Sequence, residues 1–445
     1  MEKDIGWRDW GLVALLMGAG VFSMVDRVAL SMLLEAIKAD LKLSDVALGL
    51  LNGVAFGIFY STMGVPLGWL ADRWSRKGTI IGGIAVWSAA TAACGLAGSY
   101  IQLLVARICV GAGEASLSPA AYSMVHDRFP RRRLGTAISL IQVGSLLGGG
   151  VAIFAVGFVY AFVEGLAGPN GLIGTMRPWQ LTFVLVALPG IFFIILFLFV
   201  REDRQRFAQA KPGTKPISIF KAFARARAAN SYLLIGMSGI ALALYSLSGW
   251  TPAILMREFG WSAVKVGSIY GILTMTMGPA GAIFGGWLCD KLEARGVTTP
   301  HGGIAFAAAA FALPCFIAMG LSDSPTSMLI AIACAQFAIS VPNGLGPALI
   351  QLMTPNGARG QMSAVYVMTM NLMGLGIGPV AVGFASQYLW APPSGLRYAV
   401  AFVTSLALIC SIVALRQLTK TLRSGIGALP ADDANLIGEP IAART

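Results

Sequence analysis

Four ionisable residues interrupt long apolar stretches in the first half of the chain. Asp26 and Arg27 are neighbours in one stretch, and Arg107 and Glu114 lie seven residues apart in another. Inserting an ionisable side chain at mid-membrane costs about 2.5–3.5 kcal/mol on insertion scales. Such a residue is therefore expected to have an interaction partner or a functional role. Seven residues make about two helical turns, which puts Arg107 and Glu114 on one face of a helix. We expect the four groups to line one cavity, where they bind protons and charged groups.

We predict different roles for these four charges. Glu114 has no obvious base near it in the sequence, so it can load and release protons. Asp26 lies beside Arg27 and should stay ionised longer, and we assign it to proton coupling together with Glu114. Arg27 and Arg107 would bind an anionic substrate. The alternative is a purely structural role, with Asp26 and Arg107 forming a satisfied ion pair and Glu114 serving the packing.

A loop motif occurs twice, 218 residues apart. The pattern Gly-Trp-Leu-x-Asp starts at Gly68 and again at Gly286, and each copy lies between two apolar stretches. Each copy therefore predicts a short charged loop between two membrane helices, and the duplication predicts two related halves. The alternative is that each aspartate only interacts with the end of a neighbouring helix. We expect a gate between the halves at these loops, formed by Gly68, Asp72, Arg73, Arg76, Lys77, Arg128, Gly286, Asp290 and Lys291.

The second half lacks the buried charges of the first. At the same offset, Asp26 and Arg27 correspond to Leu244 and Tyr245. We therefore expect half one to bind protons and charge, and half two to supply a neutral wall for the substrate. The polar and aromatic side chains predicted to contact substrate there are Tyr245, Trp250, Tyr270, Asn343, Tyr366 and Asn371.

The composition predicts an all-α integral membrane protein. The chain is 56% hydrophobic and 12% charged, whereas soluble domains are about 45–50% apolar and about 25% charged. About 20 apolar residues are needed to cross the hydrocarbon region of a bilayer. Twelve segments qualify, roughly 11–34, 46–70, 79–98, 102–125, 135–160, 181–200, 231–255, 266–289, 302–321, 327–350, 362–388 and 397–416.

The placement of basic residues explains the net charge of +12. Most Lys and Arg fall on the side of the predicted membrane helices that also holds the N-terminus. Such an asymmetry is typical of cytoplasmic loops. It predicts a multi-pass protein of the cell (plasma or inner) membrane with both termini in the cytoplasm. The positive charge therefore indicates topology and argues against nucleic-acid binding. The expected partners are the lipid bilayer, a small-molecule substrate and protons, and we expect a monomer.

The chain divides into four regions. Residues 1–200 and 231–417 are predicted to form two six-helix bundles, 201–230 a cytoplasmic linker, and 418–445 a cytoplasmic tail. Within the linker, Ile217, Phe220 and Phe223 can share one face of a short amphipathic helix lying along the headgroups. A plain basic linker is the alternative.

No sequence pattern indicates catalysis or a cofactor. The phosphate-binding motif GxxxxGK[ST] is absent, which argues against ATP-driven transport. The six cysteines lie in apolar stretches without metal-type spacing, so we predict neither disulfides nor a metal site. We therefore expect no enzyme, no cofactor and no metal.

These motifs resemble the major facilitator superfamily over essentially the whole chain. The Gly68 loop resembles the signature between helices 2 and 3 of that family, and the Gly286 loop the weaker copy between helices 8 and 9. The resemblance implies two six-helix bundles related by a pseudo-two-fold axis, with alternating access around a central cavity.

Within the family, the pattern is most similar to the Spinster (sphingolipid-transporter-like) branch. Asp26-Arg27 and Arg107-x6-Glu114 carry this likeness, which implies that Asp26, Arg107 and Glu114 couple protons to substrate. The chain departs from the branch at residues 23–25, where Ser-Met-Val replaces the aromatic or amide residues that often precede Asp-Arg. We predict a proton-coupled secondary transporter of a small organic or amphipathic anion. A lysolipid or sphingolipid exporter and a non-transporting membrane sensor are the alternatives.

Overall fold

The computed structural model describes residues 6–168, 173–202, 223–224, 226–354, 358–390 and 395–423, without the side chains of residues 65, 72, 131 and 132. Twelve helices in this part are long and apolar enough to cross a membrane, which confirms the predicted number and order. Those of half one are α1 (Trp7–Leu41), α2 (Asp45–Asn52 and Val54–Arg73), α3 (Arg76–Gly95), α4 (Tyr100–Glu114 and Leu117–Arg128), α5 (Arg131–Gly165) and α6 (Pro178–Ala187 and Pro189–Leu198).

The second half repeats this order, and three of its helices contain a short π or 3-10 segment. Its helices are α7 (Arg227–Phe259), α8 (Ala263–Lys265, Val266–Tyr270 and Gly271–Ala294), α9 (His301–Gly320), α10 (Pro325–Ser340, Val341–Asn343 and Leu345–Met353), α11 (Arg359–Asn371, Leu372–Ile377 and Gly378–Tyr388) and α12 (Gly395–Arg423).

The helices extend beyond the apolar segments that predicted them. Helix α7 begins at Arg227 and α12 ends at Arg423, so the predicted boundaries at 231 and 417 fall inside helices. Apolar composition marks only the part of a helix within the hydrocarbon, while the helix itself continues into the headgroup region. The predicted amphipathic helix of the linker lies almost entirely outside the described residues.

Small residues set the packing inside each half. Gly144 of α5 lies against Met17 of α1, and Gly374 of α11 lies against Tyr245 of α7. A Cβ at either glycine would lie within 2.6 Å of the facing side chain. The close approach in both halves shows that these glycines serve helix packing.

The halves meet through backbone contacts in which glycine is required. A Cβ on Gly49 of α2 would lie 2.6 Å from the Pro379 carbonyl oxygen of α11. On the other side of the molecule, a Cβ on Gly157 of α5 would lie 2.6 Å from the Ala263 carbonyl oxygen of α8. We name the bundle end with Gly68 and Gly286 the basic end, and the end with Gly49 and Ala263 the opposite end. The halves are in close contact at the opposite end.

Candidate transport site

An ion pair between α1 and α4 forms the centre of the candidate site. The Arg27 Nη2 atom lies 2.8 Å from Glu114 Oε2, and the Ser23 hydroxyl donates to the same oxygen at 2.8 Å. Ser23 and Arg27 are four residues apart, so they lie on one face of α1 and reach one carboxylate. Glu114 itself is 1% exposed. The residue that replaces the usual aromatic or amide group therefore contributes a hydrogen bond to the site.

Arg27 also stacks on aromatic rings and reaches toward the second half. Its guanidinium carbon lies 4.6 Å from the Phe56 ring centroid and 4.7 Å from that of Tyr60, both on α2. Tyr245 of α7 is close enough to interact electrostatically with it. The Arg27 side chain is 13% exposed, whereas that of Glu114 is fully enclosed. Arg27 is therefore the member of the pair that an incoming molecule can reach.

Asp26 points away from this pair. Its side chain is fully buried, beside Trp87 and Thr91 of α3. Neither carboxylate oxygen has a hydrogen-bond partner, and the Trp87 and Thr91 polar atoms do not reach hydrogen-bond geometry either. A carboxyl group in such a place either needs a nearby cation or must be protonated.

Arg107 supports the backbone of α1. Its Nη1 atom donates to the Asp26 carbonyl oxygen at 3.3 Å, and its guanidinium carbon lies 5.4 Å from the Phe56 ring centroid. Arg107 is 1% exposed. The alternative of an Asp26–Arg107 side-chain ion pair is wrong, because the contact is to the main chain. The Arg107 side chain is enclosed in this conformation, and its predicted contact with an anion stays a prediction.

The pairing differs from the prediction for a geometric reason. The sequence places Asp26 beside Arg27 and shows no base near Glu114, whereas in the structure Arg27 pairs with Glu114. Successive residues of an α-helix point about 100° apart, since the helix has 3.6 residues per turn. Asp26 is thereby directed at α3 and Arg27 at α4.

Two glycines bring α4 close enough for this pair. A Cβ on Gly111 would lie 2.6 Å from the Phe56 carbonyl oxygen, and one on Gly113 would lie 2.8 Å from the Trp87 amide nitrogen. The helix is interrupted directly after Glu114, at Ala115 and Ser116. Close packing on α2 and α3 therefore fixes the carboxylate beside α1.

Only part of the predicted neutral wall lies near Arg27. Tyr245 does, as described above. Trp250 is fully buried and donates from its indole nitrogen to the Pro379 carbonyl at 3.0 Å. Tyr270 is fully buried within the π segment of α8, and its hydroxyl has no hydrogen-bond partner. In this conformation the indole nitrogen of Trp250 is bonded to α11, and substrate contact by Trp250 stays a prediction.

The remaining wall residues lie on α10 and α11. Tyr366 is 7% exposed, and its hydroxyl lies against Gly346. Asn343 is exposed in the 3-10 segment of α10, and Asn371 is partly exposed just before the π segment of α11. Substrate contacts by these three residues stay predictions.

At the basic end, the predicted gate residues of half one bind within their own half. Arg76 pairs with Asp127 of α4, and its backbone nitrogen donates to Glu202 at 2.8 Å. Arg128 lies 3.6 Å from Asp9 of α1 and also donates to the Arg201 carbonyl. The described part omits the side chain of Asp72, so its role in the predicted gate stays a prediction.

The two loop copies share one local contact. Arg73 lies 4.5 Å from the Trp69 ring, and Lys291 lies 4.5 Å from the Trp287 ring. Lys77 donates to the Leu198 carbonyl at 2.7 Å, while Asp290 is exposed. These contacts are also local to each half, so the gate across the loops remains a prediction. Gly68 is partly exposed and Gly286 exposed, each in the last turns of its helix.

Among the described residues, the ion pairs that join the halves lie at the opposite end. Arg257 of α7 contacts Glu35 of α1 at 2.7 Å and Asp45 of α2 at 2.9 Å. Asp45 also pairs with Lys38 at 2.6 Å and accepts from the Ser386 hydroxyl of α11 at 2.9 Å. Lys38 and Arg257 lie just beyond the predicted membrane segments 11–34 and 231–255, and the sequence analysis missed this network. The usable signal was opposite charge near the ends of α1, α2 and α7 that meet at this end of the bundle.

Comparison with known proteins identifies the family. A family model described as Major Facilitator Superfamily matches residues 16–379. The chain belongs to the major facilitator superfamily. It is 33% identical over 300 residues to an MFS-type efflux pump of Mycolicibacterium smegmatis, and the match covers 65% of this chain and 64% of that pump. A hexuronate transporter of Bacillus subtilis is 26% identical over 390 residues, which is 84% of this chain and 87% of the transporter.

The resemblance to the Spinster branch is also confirmed. Protein spinster homolog 1 of Bos taurus is 28% identical over 355 residues, covering 74% of this chain and 61% of the relative. A crystal structure of a bacterial homolog of human Spinster, in an inward-facing and occupied conformation, superimposes with a TM-score of 0.80 at 23% identity. It covers 96% of this chain and all of that chain, which supports the fold. The protein is a multi-pass secondary transporter.

Proposed function

We propose that this transporter moves a small organic or amphipathic anion together with protons by alternating access. The observation that carries the proposal is the Arg27–Glu114 pair, in which the cation is partly exposed and the carboxylate is enclosed. A cation that is already paired with a carboxylate can exchange it for the carboxylate of a substrate. The aromatic rings of Phe56 and Tyr60 hold the guanidinium in place during this exchange.

The exchange couples the anion to a proton. When Glu114 is ionised, Arg27 is neutralised inside the protein and binds a substrate anion weakly. Protonation of Glu114 removes the competing charge, so the guanidinium becomes available to the anion. In the loaded state the proton and the anion then cancel each other's charge, which lowers the cost of moving the site across the low-dielectric interior. Asp26, buried without a hydrogen bond, is a second candidate proton site.

Further features support an anion and an orientation. The Bacillus subtilis relative is named for hexuronate, a small carboxylate. Basic residues concentrate at the basic end, which we place in the cytoplasm, with both termini there, in a plasma or inner membrane. The halves touch at the opposite end through Arg257, Glu35 and Asp45. This conformation would then be open toward the cytoplasm. We expect the transporter to act as a monomer.

Uptake into proteoliposomes tests the proposal. Purified protein is reconstituted and given a panel of labelled organic acids with the outside solution acidified or left at the inside pH. We expect uptake of at least one anion to rise with the inward proton gradient and to collapse with a protonophore. Glu114→Gln should abolish this gradient dependence, because the amide cannot titrate, while Glu164→Gln near the opposite end should retain it.

Two results would contradict the proposal. Unchanged gradient-driven uptake by Glu114→Gln would exclude the coupling role of that residue. Absence of any anion uptake, together with a lysolipid or sphingolipid detected by native mass spectrometry, would favour the lipid exporter. Absence of both would favour a non-transporting sensor.

A further inference from the structure

Three potential metal ligands converge at the junction of α8 and α9. Cys289 and Glu293 lie one helical turn apart near the end of α8, and His301 is the first residue of α9. The thiol sulfur, a carboxylate oxygen and an imidazole nitrogen all lie within 4.8 Å of one another. Ligand atoms at such separations can close around a single ion with bonds of about 2.0–2.3 Å after small side-chain rotations.

The Nδ1 atom of His301 is buried without a hydrogen-bond partner. The His301 side chain is 8% exposed, and its Nδ1 atom has no hydrogen-bond partner. The Glu293 carboxylate lies 3.7 Å from this nitrogen, beyond hydrogen-bond distance. A buried ring nitrogen that faces a thiol and a carboxylate without bonding to either is arranged as a ligand would be.

The cluster is confined to half two. Cys289 and Glu293 belong to the repeated loop, and their counterparts in half one are Ala71 and Ser75. His301 begins α9, whereas Arg76 begins α3 and pairs there with Asp127. The corresponding corner of half one therefore has no metal-binding side chain at these positions. Cysteine spacing alone does not reveal the cluster, because its other two ligands are Glu and His.

We propose that Cys289, Glu293 and His301 form a binding site for a divalent transition metal of the Zn²⁺ type. Thiolate, imidazole and carboxylate together suit Zn²⁺ and Co²⁺, whereas Mg²⁺ and Ca²⁺ take oxygen ligands. Metal binding releases the thiol proton to solvent, because the thiolate is the ligand. Three protein ligands leave a fourth position for water or for Asp290, which lies close by.

A bound ion would connect the repeated loop to the next helix. Cys289 and Glu293 are on α8, His301 is on α9, and residues 295–300 form the turn between them. The Glu293 side chain is 48% exposed, so an ion can enter from solvent. The site therefore lies at the basic end, away from Arg27 and Glu114, and metal binding is independent of the proposed anion site.

Cobalt substitution tests the site on the full-length protein. The chain is purified in detergent without a polyhistidine tag, stripped with a chelator and titrated with Co²⁺. We expect one Co²⁺ per chain and a near-ultraviolet thiolate-to-cobalt absorption band that stoichiometric Zn²⁺ removes. Cys289→Ser should lose the band. Glu293→Gln, at an exposed side chain that tolerates the change, should weaken Co²⁺ binding at least tenfold.

Matched variants make the result decisive. Cys315→Ser and His126→Gln change a cysteine and the other histidine outside the cluster, and both should bind Co²⁺ as the parent does. Absence of the band in the parent would overturn the proposal. A band that persists in Cys289→Ser, or an unchanged affinity in Glu293→Gln, would overturn it equally.

Discussion

In the first half, α1 places Arg27 against the Glu114 carboxylate, whereas in the second half α7 places Tyr245 at the equivalent position of the repeat. The helix pairs around them are alike: Gly144 lets α5 approach α1, and Gly374 lets α11 approach α7, although the two glycines are not at equivalent positions of the repeat. A scaffold built from backbone contacts can thus be kept in both halves while its ionisable side chains are kept in one. The comparison teaches that helix packing and proton chemistry are separable in this fold.

The ion pairs between the halves show the same asymmetry. Arg257 of α7 contacts Glu35 and Asp45 of half one. The positions related to these three by the repeat are Ala39, Ala253 and Ala263, none of which can form an ion pair. Charge therefore joins the halves on one side of the pseudo-two-fold axis, and close backbone packing joins them on both.

The largest difference in anion uptake between matched variants of the two halves should appear at Arg27 and its counterpart Tyr245. Arg27→Ala leaves Glu114 buried without its cation, and breaking a buried pair in this way costs about 3–5 kcal/mol. We expect proton-driven anion uptake in proteoliposomes to fall by about 100-fold or more. The matched change in half two, Tyr245→Phe, removes at most one hydrogen bond worth about 1 kcal/mol and should lower uptake less than tenfold. Comparable losses in both variants would remove the functional distinction between the halves.

The second effect concerns closure at the opposite end. Arg257→Ala deprives Glu35 and Asp45 of charged hydrogen bonds worth about 1.5–3 kcal/mol each. Loss of both contacts amounts to about 3–6 kcal/mol, so we expect the population open at that end to rise by at least about 100-fold, since 1.4 kcal/mol is a factor of ten. Spin labels at Lys42 and Tyr388, in a background without Cys109 and Cys410, would report the longer distance.

Arg177→Ala is the control for this measurement, because Arg177 pairs with Asp40 inside half one at the same end. Its label distances should match those of the parent. A distance distribution that Arg257→Ala leaves unchanged would show that backbone packing alone keeps this end closed.

The third effect compares two glycines at equivalent positions. A Cβ on Gly49 would lie 2.6 Å from a carbonyl oxygen of the other half, but one on Gly267 would lie 3.2 Å from its nearest neighbour. Overpacking costs about 1–3 kcal/mol, so Gly49→Ala should lower the Tm in detergent. Gly267→Ala should change it by clearly less. Equal shifts would mean that the two interfaces are equally tight.

The smallest effect, and the one in which the halves should agree, concerns the repeated loops. Arg73→Gln and Lys291→Gln each remove a cation from an exposed tryptophan ring at 4.5 Å. Such contacts are worth about 0.5–1 kcal/mol. Both variants should lower thermal stability by a similar small amount. A large effect in only one variant would point to a gating role for that loop.

The predictions from sequence succeeded wherever the signal was local. All twelve spanning helices appear in the predicted order, and the Gly68 and Gly286 motifs lie at the same end of the bundle, although most of each motif is the last part of a helix and not a loop. The identities of the buried charges were also recognised, since Asp26, Arg107 and Glu114 are each at most 1% exposed. A charge in an apolar segment can be recognised without knowledge of its neighbours.

The failures concern partners. Ser23 was not recognised as a donor to Glu114, and the alternative of an Asp26–Arg107 ion pair placed a carboxylate where Arg107 meets the Asp26 carbonyl. Each of these depends on how far one helix is rotated about its axis and how closely another approaches. Close approach is set by Gly111 and Gly113, whose facing surfaces belong to segments distant in sequence.

The sequence by itself determined that this chain crosses the membrane twelve times, in two related halves, with its ionisable centre in the first half. It can do so because the backbone polar groups of a membrane helix form their hydrogen bonds within that helix. Each membrane segment can therefore be recognised from its own sequence. Only the tertiary structure decided that Arg27 pairs with Glu114, that Asp26 lacks a hydrogen bond, and that Arg257 joins the halves. Those contacts depend on the relative rotation and separation of helices, which no single segment encodes.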